Sequence, residues 1–286
     1  MVQTDPFVLA VASGKGGTGK TTLSVALAQV AGAPLYDCDV EEPNAHLFVR
    51  PQWQDKQDVT RRVPLIETEL CTGCGACTEL CQFNALIIVG HKAMVFEELC
   101  HSCGGCRRVC PTQAIHETDV TIGSVSLGLS AKLTLVQGCM AIGQVMAPPL
   151  IRATRNYHHN VPPAKLAILD CPPGTSCPMI TAVRGSDFVL LVTEPTPFGL
   201  NDLQLAVETV RQLQLPFAVA INRADSGDRR VHDYCQREGI EVVIEIPELR
   251  HVAEAYSRGE TLLEALPQQR QLLQNWLHQL CPGGLA

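Results

Sequence analysis

Short, almost unbroken apolar runs alternate along this chain with longer segments whose apolar positions recur every three to four residues. Phe7–Ala12, Pro34–Asp37, Lys165–Leu169, Phe188–Val192, Phe217–Ile221 and Val242–Ile246 read as strands, each bounded by turn residues. Thr21–Ala31, with Gly32 as its stop, reads as a helix, as do Asn201–Gln212, Arg229–Glu238 and Glu248–Ser257. Strands that are apolar on both faces belong inside a parallel sheet, whose neighbours need helical crossovers. The predicted fold class is therefore α/β, a doubly wound, mostly parallel sheet. At the far end, Gln268–Leu280 places Leu272, Leu273, Trp276, Leu277 and Leu280 on one face. Its other face is mostly glutamine with one arginine, which predicts packing against the sheet rather than membrane docking.

Composition narrows the function classes. The chain has 286 residues, of which 46% are hydrophobic and 18% charged, enough apolar material for a sizeable core. No apolar run approaches the roughly 18 residues of a spanning helix, and Met1–Val8 has no basic cluster of the secretory kind. A net charge of −7 with few aromatics argues against nucleic-acid binding. The expectation is a soluble cytoplasmic protein that binds neither nucleic acid nor membrane.

Fourteen cysteines stand out against that background, because disulfides are disfavoured in a reducing compartment. Eight of them lie between Cys71 and Cys110. Cys71, Cys74, Cys77 and Cys81 are spaced C-x2-C-x2-C-x3-C, and Cys100, Cys103, Cys106 and Cys110 repeat the spacing 29 residues later. Three thiolates at that spacing can wrap three corners of a cubane while the fourth turns away to the other cluster. Cys71, Cys74, Cys77 and Cys110 are thus expected to hold one [4Fe–4S] cluster, and Cys100, Cys103, Cys106 and Cys81 a second. Paired zinc knuckles are the weaker alternative, since they rarely use runs of four. The region from about Val63 to Asp119 resembles a bacterial-type two-cluster ferredoxin. Gln82 departs from that pattern where a proline would follow the fourth cysteine, as Pro111 does in the second copy. His101 is read as a spacer inside that copy.

The first strand runs into Ser13-Gly14-Lys15-Gly16-Gly17-Thr18-Gly19-Lys20-Thr21-Thr22, which matches G-x4-G-K-[ST] and opens a helix. Backbone N–H groups from Gly14 to Thr22 are expected to face phosphates, Lys20 to reach the β- and γ-phosphates, and the Thr21 hydroxyl to ligate Mg²⁺. Asp170 closes another apolar strand, the arrangement that holds Mg²⁺ through water. Asp37 and Asp39 lie at a third strand's carboxyl end, the edge at which open α/β sheets bind ligands. Asn222-Arg223-Ala224-Asp225 is ambiguous, because it resembles both an adenine-contacting asparagine and a guanine-reading N-K-x-D motif.

Lys15, directly after the first glycine, resembles the deviant Walker A of the MinD/ParA/Mrp ATPases. The resemblance implies that Lys15 reaches a dimer partner's phosphates, that Asp39 orients the attacking water, and that Asp37 supports the magnesium shell. It implies that Pro172-Pro173-Gly174 senses the γ-phosphate, and it favours ATP, with Asn222 on adenine. Together the motifs resemble MinD-superfamily ATPases carrying an inserted ferredoxin domain, with residues 1–62 and 119–286 as ATPase and 63–118 as insert. Two functions follow as expectations. One is an ATPase whose dimer changes gate electron transfer through two [4Fe–4S] clusters; the other is a metallocofactor or Fe–S assembly factor. The partner would be a second copy or a paralogous ATPase, together with a redox or metallocofactor protein. Mrp-type carriers use a C-terminal C-x2-C pair, whereas this chain has only Cys281 there. Cys235 and Cys281 are read as small core residues; for Cys38, Cys139, Cys171 and Cys177 a redox or bridging role stays open.

Overall fold

The structure, a computed structural model, describes residues 6–131 and 133–282. It divides into two compact units. One takes in the chain up to Gln57, then Val125–Cys139, and everything from Ile151 onward; the other comprises Asp58–Ser124 and Met140–Leu150. The second is thus wider than the expected 63–118 insert, because long strands carry the chain into and out of it.

The first unit opens with β1 (Phe7–Ala12), α1 (Lys20–Ala31), β2 (Leu35–Asp37) and α2 (His46–Val49). β3 (Gln52–Ile66) then leads into the second unit. That unit contains α3 (Ala76–Leu80), the hairpin strands β4 (Leu86–Val89) and β5 (Lys92–Val95), and α4 (Gly105–Val109). β6 (Ile115–Leu129) returns the chain, followed by β7 (Thr134–Met140), α5 (Ala147–Arg155), β8 (Leu166–Asp170) and α6 (Cys177–Val183). The rest is β9 (Phe188–Thr193), α7 (Pro197–Gln212), β10 (Phe217–Asn222), α8 (Arg230–Arg237), β11 (Val242–Ile246), α9 (Arg250–Ser257), α10 (Leu262–Ala265) and α11 (Gln269–Leu280).

Nine strands form one sheet in the order β11-β10-β9-β1-β8-β2-β7-β6-β3. β11 through β7 pair in parallel, as continuous apolar runs require. Chain order reverses around β1, and the registers bring Asp37 opposite Asp170 at the carboxyl edge. Such a crevice is where doubly wound sheets bind ligands. Beneath it Leu9, Val11, Leu35, Ile168 and Leu190 pack against Leu23 and Leu27 of α1. α11 adds Leu273, Trp276 and Leu277 to the same core, with the Trp276 ring edge-on to Phe188 at 6.4 Å. Leu272, expected on that face, is 41% exposed. It lies just outside the arc that meets the core, a distinction that helical spacing alone does not make.

α7 begins four residues before the expected Asn201 because Thr196 caps it, its Oγ1 accepting from Gly199 N–H at 3.0 Å, with Pro197 at the first helical position. α10 was not expected; it is held by a capping box between Thr261 and Glu264.

In the second unit the cysteine duplication is also a duplication of backbone. α3 and α4 each span five residues, follow a left-handed glycine (Gly75 φ 84°, Gly104 φ 68°) and end at a cysteine of nearly equal dihedrals. Cys81 (φ −73°, ψ 103°) turns as Cys110 (φ −72°, ψ 111°) does, so Gln82 supports the turn that Pro111 supports in the other copy. Positive φ recurs at the equivalent pairs Gly73 and Ser102, and Asn84 and Gln113. The cores here are thin: Cys77, Leu86, Ala93 and Ile115 form one, and Val63, Ala85 and Cys100 another.

Candidate functional site

The loop between β1 and α1 is shaped by close approaches that only glycine permits. A Cβ on Gly14 would stand 2.1 Å from the Asp202 carbonyl oxygen, and Gly19, at φ 91°, precedes α1 in a left-handed conformation. The loop leaves Thr18 Oγ1 buried and without a hydrogen-bond partner among the described residues, an acceptor or donor waiting for a ligand oxygen. Gly16 and Gly17 are exposed on its outer side.

Lys20 and Thr21 start α1 and are both buried. Thr21 Oγ1 donates to Asp170 Oδ2 at 2.6 Å, and Ser24 Oγ, one turn on, donates to Oδ1 at 3.0 Å. Asp37 is equally enclosed, its carboxylate accepting from the N–H groups of Asp39, Asn44 and Ala45 at 3.1–3.2 Å. Both carboxyls are pushed upward, Asp37 by burial and then by Asp170, Asp170 by burial against the pull of Lys20 and its hydroxyl donors. Asp39, half-buried, is raised to about 6 by burial, with Lys20 opposing. Three acids around one ammonium are electrostatically under-compensated, and a divalent cation at this edge would favour their charged forms. Among the described residues no three His, Cys, Asp or Glu side chains are grouped to hold a metal ion by themselves. Mg²⁺ does not need such a cage, since it keeps waters and takes one or two carboxylates together with ligand phosphates.

Lys15 Nζ lies 3.6 Å from Glu194, whose other oxygen is 3.1 Å from Arg223 Nη1. Glu194 was not singled out as a site residue. Its signal was present, an acid just after a buried strand as Asp170 is at the end of β8. Ser24, which sits at helical spacing from Thr21, carried no sequence signal of its own. Asn222 donates from Nδ2 to the Thr18 carbonyl at 3.0 Å and accepts from Arg223 N–H, so its amide ties the end of β10 to the loop. Thr22 follows Thr21 on α1, half-buried. The Pro172–Gly174 segment is anchored from Gly174 N–H to Ser13 O and from Cys171 N–H to Val11 O. Cys38, Cys171 and Cys235 are fully buried, Cys139 and Cys177 exposed, and Cys281, expected in the core, only half-buried.

The sequence matches the family described as the CobQ/CobB/MinD/ParA nucleotide binding domain over residues 9–262. The chain belongs to that family. An uncharacterized protein of Methanocaldococcus jannaschii, MJ0578, is 32% identical over 219 residues, covering 75% of this chain and 77% of that protein. A second from the same organism, MJ0579, is 28% identical over 268 residues, covering 90% and 92%. Among solved structures, the septum site-determining protein MinD of Pyrococcus horikoshii, complexed with Mg-ADP, superposes with a TM-score of 0.55 at 16% identity, covering 97% and 96% of the two chains. The MinD/ParA-type nucleotide-binding fold is thereby established for the sheet that carries the phosphate loop. No helix among the described residues is long and apolar enough to cross a membrane.

The cysteine unit has its own geometry. One concavity is lined by Cys71, Cys74, Cys77 and Cys110, and another by Cys81, Cys100, Cys103 and Cys106. Both are narrow, with about 20 and 30 Å³ of open space. The donor chemistry fits sulfur clusters: four thiols face each space, and backbone N–H groups of Ala93, Ser102 and Ala114 point at Cys71, Cys100 and Cys110 Sγ at 3.3–3.4 Å. Such N–H···S bonds favour thiolates and tune clusters. A cubane spreads its four ligands over four metals, which a pocket not grouped around one ion can satisfy. Burial raises Cys106 to about 11 and also raises Cys77, so neither is a thiolate without a bound cation.

Proposed function

We propose that this chain is an Mg²⁺-dependent ATPase that couples nucleotide-driven dimer changes to electron transfer through two [4Fe–4S] clusters. The observation that carries the proposal is the sorting of eight cysteines into two concavities of four, in a chain that also carries a phosphate loop. That sorting pairs Cys110 with the first motif and Cys81 with the second, as crossed ligation requires. When bound, the clusters supply one-electron relays. Cys71, Cys74, Cys77 and Cys110 would hold one, and Cys81, Cys100, Cys103 and Cys106 the other.

In the nucleotide unit, Lys20 and the loop N–H groups would bind the phosphates, while Thr21, Asp170 and Asp37 would hold Mg²⁺, which would supply charge neutralisation on the phosphates. Asp39, adjustable in charge near neutrality, accepts a hydrogen bond from the attacking water and positions it. The resemblance to the deviant loop assigns Asn222 to adenine, which requires its bond to the Thr18 carbonyl to rearrange, and Lys15 supports ATP over GTP. Lys15 is held at home by Glu194, so reaching a partner's phosphates requires release of that ion pair. The partner is a second copy or a paralogue; two related chains coexist in the Methanocaldococcus relative's organism.

A second reading, ATP-dependent cluster assembly or delivery, is favoured by one observation: Cys74 and Cys103, one in each set, are exposed. Anaerobic purification with iron and sulfide analysis tests the shared premise, with eight irons per chain expected and two zincs contrary to it. Reversible reduction without loss of iron to an apo-acceptor supports electron transfer, whereas stoichiometric transfer of iron and sulfide to the acceptor supports assembly.

A further inference from the structure

On the first unit, the end of α5 and the length of α6 border a pocket of about 460 Å³. Arg152, Arg155, Arg184, Asn156, Thr181 and Cys177 line it, and no carboxylate does. Three guanidiniums around one concavity repel one another, and this chain carries a net charge of −7. Favourable interaction of cations with a helix C-terminus accounts for Arg152 and Arg155 in the last turn of α5. Arg184, the C-cap of α6, is favourable for the same reason on its own helix, but that does not account for three guanidiniums converging on one space with no carboxylate among them.

Arg155 is ordered before any ligand arrives, since its Nη1 donates to the carbonyls of Thr181, at 3.1 Å, and of Arg184. Pre-ordering removes much of the entropic cost of binding. The planar fork of arginine matches the paired oxygens of carboxylates and phosphates. Arg152 and Arg184 are exposed and make no ion pair among the described residues. Asn156 and Thr181 add neutral polar groups. The volume lies in the range of small-ligand sites, roughly 300–1,000 Å³.

We propose that this pocket binds a small organic polyanion, a molecule bearing at least two carboxylate or phosphate groups. It is distinct from the nucleotide site, sharing no residue with the phosphate loop, and stands whether or not the chain hydrolyses ATP. Cys177 at its wall supplies a reporter, because an occupied pocket shields that thiol from alkylation.

The test uses the full chain, purified anaerobically and saturated with Mg-ADP so that added anions do not occupy the phosphate loop. Citrate and pyrophosphate are titrated separately by calorimetry. The rate of iodoacetamide modification is followed at Cys177, with half-buried Cys281 as the reference thiol. At least one probe is expected to bind with a Kd below about 1 mM and to slow Cys177 alkylation several-fold while leaving Cys281 unchanged. Arg152→Gln and Arg184→Gln, both at exposed positions, are each expected to weaken binding about tenfold and to abolish the protection. Citrate alone identifies carboxylates as the recognised groups, and pyrophosphate alone identifies phosphates. Absence of binding and protection with both probes up to about 10 mM overturns the proposal. So does binding that both arginine variants retain at wild-type strength, provided their ADP affinity shows them folded.

Discussion

In the nucleotide unit the central strands β1 and β8 are buried on both faces: Leu9, Val11, Leu166 and Ile168 lie on one, beneath a cover of α1 and α11, and Ala10, Ala167 and Leu169 on the other. In the cysteine unit Cys77, Leu86, Ala93 and Ile115 form one core among the described residues, with Cys71, Cys81, Cys106 and Cys110 packed at its margin. The first unit is held by a large aliphatic core. The second places its candidate ligands inside its own core, so under the proposed function a bound cluster would be part of what holds it together, as in other small domains that depend on metals. On that reading one is a fold that presents a site and the other a site that makes a fold.

The largest expected effect therefore falls on the cysteine unit. Chelating the iron, or replacing Cys77 by serine, should abolish hydrogen-exchange protection in β4, β5, α3 and α4 while leaving β1 and β8 protected and ADP affinity within about twofold. Protection that survives complete iron loss breaks the comparison. Next in size is Lys20→Ala, which should weaken Mg-ATP binding by roughly two orders of magnitude while the visible absorption of the clusters is retained. A parallel loss of cluster absorption would show that the units do not stand independently.

Asp39→Asn should lower turnover by about a hundredfold and change ATP affinity little, because a water-positioning group acts mainly in the transition state. Asp39 is raised to about 6 in the free chain, and it must be ionised to accept from water. kcat/KM should accordingly rise with pH through about 6 and level off above, and the variant should lack that limb. The same shift has the opposite consequence for stability: the contribution of Asp39 is greatest below its unfolded value and is lost as pH rises through about 6.

A smaller effect is expected from the backbone of the second cysteine copy. Ser102 holds a positive φ of 57° where the first copy has Gly73. Ser102→Gly should stabilise the cysteine unit by up to about 1 kcal/mol, read as slower thermal loss of cluster absorption, with no change in ADP affinity. Gly73→Ala should do the reverse, since its Cβ would meet the His91 carbonyl oxygen at 2.4 Å.

Legibility differed between the units for physical reasons. β1, β8, β9, β10 and β11 were readable because strands buried on both faces leave continuous apolar runs. β3 and β6 were not, because neither leaves a continuous apolar run: the Gln52–Ile66 strand carries mostly polar residues and buries few, and the Ile115–Leu129 strand mixes buried, half-buried and exposed positions. Their pairing is decided by neighbours distant in sequence. The phosphate loop and the cysteine spacing could be read because local geometry dictates which residue stands at each position. Ser24 could not, and the strand-end position of Glu194 marks an acid at the edge without telling its part, since both parts arise from side chains meeting across the sheet edge: Glu194 restrains Lys15, and Ser24 shares Asp170 with Thr21.

The sequence by itself determined the α/β class, the glycine loop with Lys20 and Thr21, and the duplicated cysteine pattern, because each follows from the period of burial or from the short-range reach of the backbone. Only the tertiary structure decided which carboxylates share the site with Lys20, what holds Lys15, where the second unit begins and ends, and that three arginines from two helices line one pocket. Those outcomes depend on strand order and register, which bring Asp37 level with Asp170 across many intervening residues. Contacts of that kind are set by how whole elements pack, and no local pattern encodes them.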